Sequence, residues 1–205
     1  MRDLFDWTIK LTGAVAVSSL VYQTYLFYSR RREEEEINEV LFFPVDTTKT
    51  FNQDFVENFF QGGGVVINSD SNLAKVLGYV RNAKVSVDVC LYIFTCPEFG
   101  NVLVSCMRRG IIIRVIVDFV SIQENGREVN RLRMLGVPVR GRKQEHHMHH
   151  KFVIIDSSIL LNGSFNWTQT AVTGNNENVI ITSNKHVVAE FVNEFSKLWK
   201  IHNKI

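Results

Sequence analysis

Lys84 to Val117 reads KVSVDVCLYIFTCPEFGNVLVSCMRRGIIIRVIV, and this stretch decides the fold class. Lys84–Phe94 is rich in β-branched residues and alternates apolar with polar positions, the pattern of a strand. Glu98–Arg109 has helical apolar spacing and stops at Gly110. Ile111–Val117 is a continuous apolar run, as expected of a strand covered on both faces.

Working outward, the same alternation continues. Val65–Ile67 reads as a short strand after three glycines. Leu73–Val80 reads as a helix capped by Ser71. Glu128–Leu135 is a helix closed by Gly136, and Val137–Val139 a short strand. Phe152–Ile155 and Ile159–Leu161 are strands around an Asp156-Ser157-Ser158 turn. Val179–Thr182 is another strand, and Val187–Trp199 an amphipathic terminal helix. Strands alternating with helices predict an α/β domain, a largely parallel or mixed sheet with helices on both faces.

Composition narrows the class. The chain has 205 residues, a formal net charge of +2 and 45% hydrophobic residues, enough for a core and too many for a disordered chain. No internal repeat is visible. Three cysteines, Cys90, Cys96 and Cys106, form no CxxC pair and read as reduced, buried thiols.

Residues 11–28, LTGAVAVSSLVYQTYLFY, carry no charge. The run is just long enough to span a bilayer, with Leu11, Val15, Leu20, Val21, Leu26 and Tyr28 as membrane-facing residues. Arg30, Arg31 and Arg32 follow it, which places the remainder of the chain in the cytosol. A cleaved signal peptide would carry its charge before the apolar run, and a transit peptide would be acid-poor. A buried soluble helix is the competing reading, because Ser18, Ser19, Gln23 and Thr24 weaken the hydropathy. The expected organisation is an anchor and charged linker over 1–36 and a catalytic domain over 37–205.

The stretch that carries chemistry is His149-His150-Lys151-Phe152-Val153-Ile154-Ile155-Asp156, a match to H-x-K-x4-D. At ordinary composition about 0.01 such matches arise by accident in a chain with this many histidines. Gly163-Ser164-Phe165-Asn166-Trp167-Thr168 follows, then Asn176-Glu177-Asn178. A metal site built from His146, His147, His149 and His150 is disfavoured, because adjacent residues on a strand face opposite ways and do not converge on one ion. His202 has no chemical context, and Trp167 reads as packing.

These residues resemble the signature of the phospholipase D superfamily, H-x-K-x4-D followed by G-S-x-N. The similarity runs from about Phe42 to Lys200 and is strongest to the mitochondrial branch, which includes cardiolipin hydrolase and the endoribonuclease Zucchini. On a strand His149 and Lys151 share a face and His150 points away. A neutral imidazole is a competent nucleophile toward phosphorus. Lys151 supplies positive charge to the phosphoryl oxygens, and Ser164 and Asn166 add neutral donors. The resemblance implies a phosphohistidine intermediate, a second histidine as acid and base, Glu177 against a catalytic histidine's other nitrogen, and Asp156 in support. For Asp156 a bare turn role remains open. No metal or other cofactor is implied. Since one chain carries one motif, the second histidine must come from a second copy, so a two-fold homodimer is expected.

The superfamily fixes phosphodiester chemistry and leaves the substrate open. One reading is an endonuclease for single-stranded RNA in piRNA biogenesis in the germline, working with RNA-silencing proteins on the mitochondrial outer membrane. A second is hydrolysis of cardiolipin to phosphatidic acid, and a third a non-enzymatic RNA-binding scaffold. Arg108, Arg109, Arg131, Arg140, Arg142 and Lys143 form a candidate basic substrate groove, which tilts the reading to RNA. Animal members of the branch often carry a small zinc module. Val45–Asp70 holds neither Cys nor His, so Thr47–Gln61 stands in its place.

Overall fold

The structure is a computed structural model and describes residues 18–25, 36–44, 71–143 and 145–204. Ile37–Ile205 forms one compact unit, separate from Met1–Glu36. In the first unit, residues 18–25 are helical and exposed. Among the described residues no helix is long and apolar enough to cross a membrane. Of the expected anchor, Leu11, Val15, Leu26 and Tyr28 lie outside the described residues, as do the Val65–Ile67 strand and Thr47–Gln61.

The second unit begins with β1 (Asn38–Phe43), then α1 (Asn72–Arg81), β2 (Ser86–Leu91), α2 (Pro97–Arg108) and β3 (Ile112–Val117). Next come α3 (Phe119–Asn125), α4 (Arg127–Met134), β4 (Val139–Gly141), β5 (Lys151–Ile155) and β6 (Ile159–Gly163). It ends with α5 (Gln169–Thr173), β7 (Glu177–Thr182), α6 (Lys185–Ile201) and the two-residue β8 (Asn203–Lys204). The strands form one sheet in the order β1-β7-β6-β5-β2-β3-β4-β8.

The sheet is mixed rather than largely parallel. β2 to β3 and β3 to β4 run parallel, joined by α2 and by α3–α4. The other five pairings are antiparallel. Connection length explains the split: a parallel return needs a long crossover, whereas β5 and β6 are separated by three residues. Apolar strand pattern does not reveal direction, so it left largely parallel and mixed arrangements both open, and the antiparallel β5–β6–β7–β1 half makes the sheet mixed.

Helices do cover both faces. Val87, Val89 and Leu91 of β2, with Val115 and Val117 of β3 and Val153 and Ile155 of β5, join the larger core with Leu73, Leu77, Phe99 and Leu103 of α1 and α2. The alternate positions Cys90, Ile116, Phe152 and Ile154 pack against Val188, Phe195 and Leu198 of α6. The period of two therefore divides each central strand between two cores. Ser71 caps α1 as the sequence predicts, its hydroxyl accepting from the Ala74 N–H at 3.1 Å. Cys90, Cys96 and Cys106 are all buried and free.

Candidate active site

The pairing register brings the two halves of the motif together. Leu91 at the carboxyl end of β2 lies opposite Lys151 at the start of β5. Phe152 lies opposite Asn162, so the end of β6 reaches the same edge of the sheet. Beyond the strands, the segments after β2 and β6 zip together: Trp167 N–H donates to Ile93 O at 3.3 Å, and Thr95 and Cys96 N–H both donate to Trp167 O at 2.9 Å. Trp167 is buried and stacks on Phe99 at 4.2 Å between ring centroids, a packing role. Gly163 has to be glycine, because a Cβ there would sit 2.1 Å from the Asn178 carbonyl oxygen.

His149 and Lys151 meet at this edge. Lys151 Nζ is 3.1 Å from His149 Nδ1, 3.3 Å from Nε2 and 2.9 Å from the His149 carbonyl oxygen. His149 is exposed and Lys151 half-buried. Partial burial, then the Lys151 charge, lowers the His149 pKa below the ordinary histidine value, with His147 and His150 adding to the effect and Asp118 opposing it. The neutral imidazole is therefore the populated form near neutral pH. Burial also lowers the Lys151 pKa, against the Coulombic pull of Glu177. His150 faces the other way, 4.0 Å from Glu194 on α6.

Asn166 and Ser164 complete the edge, in different ways. Asn166 Oδ1 accepts from the Ile93 N–H at 3.1 Å, which fixes its amide and leaves Nδ2 as a donor. The Ser164 hydroxyl donates to Glu177 Oε2 and accepts from the Asn178 N–H at 3.1 Å. The hydroxyl thereby ties the Glu177 carboxylate to the Asn178 backbone. Asn175 Nδ2 donates to Glu177 Oε1 at 3.0 Å. Both nitrogens of His149 lie beside Lys151 of the same chain, and both Glu177 oxygens are held by Ser164 and Asn175. The expected Glu177–histidine contact is not made within one chain.

Asp156 is not part of this cluster. It sits at the far end of β5, five residues or about 16 Å of strand from Lys151. Its turn is closed by Ser158 N–H to Ile155 O at 3.0 Å, with Asp156 and Ser157 in the left-handed region at φ 54° and 52°. The carboxylate accepts backbone N–H bonds from Lys84 at 2.9 Å, Val85 at 2.7 Å and Ser86 at 2.9 Å. Burial alone would raise its pKa, but the three donors outweigh it and hold the carboxyl below its ordinary value. A supporting catalytic role therefore gives way to a clamp between the β5–β6 turn and the start of β2.

The basic groove also breaks up. Arg108 and Arg109 precede β3, so they lie at the end of the sheet opposite His149, where Arg109 donates to Arg81 O at 2.5 Å. Arg131 is held by Glu128 at 2.5 Å and Asn101 at 3.0 Å. Arg140 lies over the Trp199 ring at 4.2 Å and donates to the Trp199 carbonyl. Arg142 and Lys143 are exposed and follow the carboxyl end of β4, on the side of His149.

Two further residues line the site without a motif to mark them. Tyr92, directly after β2, packs on His149 at 4.5 Å and on His147 at 5.2 Å, with Lys151 Nζ 5.3 Å from its ring centroid. Asp118, directly after β3, is buried and touches His147 and Met148. A usable signal existed: Tyr92 and Asp118 close apolar strands, and in α/β sheets ligands bind beyond the carboxyl ends of such strands. Among the described residues no group of three or more His, Cys, Asp or Glu side chains could hold a metal ion.

Comparison with known proteins agrees with this arrangement. A family model described as cardiolipin synthase, PLD-like domain, matches residues 76–199. The chain is 32% identical over 191 residues to a mitochondrial cardiolipin hydrolase of Xenopus tropicalis, covering 93% of this chain and 89% of the frog protein. It is 31% identical to the Homo sapiens protein of that name, covering 97% and 82%. A protein of the same name from Chlamydomonas reinhardtii is 39% identical over 132 residues, which is 64% of this chain and 59% of the algal one. In fold, the chain is similar to Nuc from Salmonella typhimurium, a phospholipase D family member, with a TM-score of 0.67, 22% identity and coverage of 83% and 99%. A family match over more than half of the chain, together with relatives above 30% identity along most of both lengths, places it: the chain belongs to the phospholipase D superfamily, in the branch whose curated members are named mitochondrial cardiolipin hydrolase, and it is a phosphodiesterase.

Proposed function

We propose that the chain cleaves phosphodiesters through a covalent phosphohistidine on His149, in a site shared by two copies, with single-stranded RNA as substrate. The observation that carries this reading is the pairing of an exposed His149, its pKa lowered, with Lys151 at 3.1 Å. The neutral imidazole attacks phosphorus, the P–N bond forms and the bond to the leaving oxygen breaks. The His149 of the second copy, protonated, gives its proton to that oxygen. It then takes a proton from water, which attacks the phosphohistidine and frees the first histidine. Lys151 and the Asn166 amide neutralise and hold the non-bridging oxygens throughout. Glu177, untouched by its own His149, is available to orient the imidazole of the second copy. No step in this scheme requires a metal ion.

Two features favour RNA. His149 is exposed, and Arg142 and Lys143, also exposed, stand on its side of the sheet, where they can follow a phosphate backbone. The second reading is cardiolipin. It is favoured by the names of the relatives and by Val40, Phe42 and Ile180, an exposed apolar strip on paired β1 and β7. The run over 11–28 would act as a single-pass anchor in the mitochondrial outer membrane, with the catalytic domain of 37–205 on the cytosolic side. Piwi-pathway precursors would then be the RNA concerned.

The test uses the full chain in nanodiscs with EDTA, given end-labelled single-stranded RNA and, separately, cardiolipin vesicles. The expected result is RNA cleavage with little sequence preference and no release of phosphatidic acid. Hydrolysis of cardiolipin alone would replace the RNA reading with the lipid one. Binding of RNA with no cleavage of either substrate would leave a scaffold.

A further inference from the structure

Asp118 is the first residue after β3 and is 2% exposed. One carboxylate oxygen, Oδ1, caps α3 by accepting the N–H groups of Val120 at 3.1 Å and Ser121 at 3.2 Å. That bond set accounts for an ordinary helix cap and needs no second oxygen. The other oxygen, Oδ2, accepts the Met148 N–H at 2.9 Å, thirty residues away and immediately before His149. His147 Nδ1 lies 3.4 Å from Oδ1, although the His147 side chain is 52% exposed. Asp118 thus grips both residues that precede His149.

The grip is continued by packing. Met148 is buried, with its sulfur 3.4 Å from Cys90 Sγ on β2. The Tyr92 ring packs on both histidines, with ring centroids 5.2 Å from His147 and 4.5 Å from His149. His149 lies two residues before β5, outside the strand pairing. Its backbone is set by Met148 on one side and Lys151 on the other, and its ring by Tyr92 and Lys151.

We propose that Asp118 is a positioning residue for His149: by holding the Met148 N–H and the His147 ring, it fixes the chain entering β5 and the Tyr92 face against which the His149 imidazole rests. This rests on the reading of His149 as nucleophile. The buried carboxylate does not touch the substrate. It sets where the attacking nitrogen stands, and displacement of an attacking atom by about 1 Å costs on the order of a hundredfold in rate.

Serine at position 118 still caps α3 but is too short to reach Met148, so Asp118→Ser separates cap from grip. Turnover of bis(4-nitrophenyl) phosphate by the full chain is measured for wild type, Asp118→Ser, His147→Gln and His149→Ala, alongside thermal midpoints. The expected result is kcat lower by about a hundredfold in Asp118→Ser with KM unchanged and the midpoint within a few degrees of wild type. His147→Gln, altered on an exposed ring, loses about threefold or more in kcat, again at constant KM. Wild-type kcat in Asp118→Ser, or a loss that follows the unfolded fraction alone, would overturn the proposal. If Asp118→Ser fails to fold, His147→Gln decides, and an unchanged kcat there overturns it. The controls separate two failures: activity retained by His149→Ala removes the nucleophile reading itself, whereas an inactive His149→Ala beside a fully active Asp118→Ser removes only the positioning role.

Discussion

Replacing His149 by alanine is expected to lower kcat by about 10⁴- to 10⁶-fold, with little change in thermal stability. The size follows from what the residue does in the proposed reaction. A covalent nucleophile is not one of several additive contributors; without it the two-step route is closed, and only the residual effect of Lys151 and Asn166 on the phosphoryl oxygens remains. In a two-fold site the same substitution also removes the acid that protonates the leaving oxygen, so both partial reactions fail together. Stability should hardly move, because His149 is exposed and its contacts are to Lys151 and the Tyr92 ring. Steady-state turnover of bis(4-nitrophenyl) phosphate by wild type and variant, with a thermal melt of each, checks both halves. A residual rate within tenfold of wild type would mean that another group attacks phosphorus.

Asp156→Ala is expected to do the opposite: it lowers the thermal midpoint by about 5–15 °C and leaves kcat per folded molecule within twofold of wild type. The carboxylate accepts three consecutive backbone N–H bonds, from Lys84, Val85 and Ser86, at 2.9, 2.7 and 2.9 Å. Hydrogen bonds to a charged group contribute about 1.5–3 kcal/mol each, and part of that is recovered when exposed N–H groups return to water, so a loss of about 2–4 kcal/mol is reasonable. Alanine also tolerates φ 54° less well than aspartate does. The effect carries a pH signature. Because the folded pKa of Asp156 is depressed, its contribution is complete above the unfolded value of about 3.9 and is lost as pH falls through the lower folded value. The gap in midpoint between wild type and Asp156→Ala should therefore close in acid. A variant that melts like wild type but turns over slowly would return Asp156 to the chemistry.

Much of this was legible because the information is local. His149 and Lys151 are two residues apart, and Gly163 to Asn166 follow across a single turn, so reading two adjacent strands is enough to place them side by side. Helices α1, α2, α4 and α6 and the central strands were legible from apolar period, to within a residue or two at most ends, whereas the short α3 and α5, at seven and five residues, carry too little period to be read. Strand direction was not, since a buried strand looks the same either way; the three-residue turn at Asp156 was the available clue to an antiparallel half. β1 was missed because its partner, β7, lies about 140 residues later and neither strand announces the other. The basic groove was misread by proximity in sequence. Arg131 stands three residues after Glu128, a spacing that already signals an ion pair. Arg108 and Arg109 close a helix that returns from the carboxyl to the amino end of the parallel strands, which puts them on the far side. Asp156 shows the same limit: a residue inside a catalytic signature serves the strand that carries it.

The central claim is a covalent intermediate on His149 in a site made by two chains. Full-length protein in nanodiscs is mixed with excess single-stranded RNA, quenched in alkali within milliseconds, where a phosphohistidine survives, and digested for mass spectrometry. The account predicts a phosphoryl-nucleotide adduct on His149 at no more than one per two chains, absent from His149→Ala. Turnover without any adduct, an adduct on a different residue, or one adduct on every chain would contradict it.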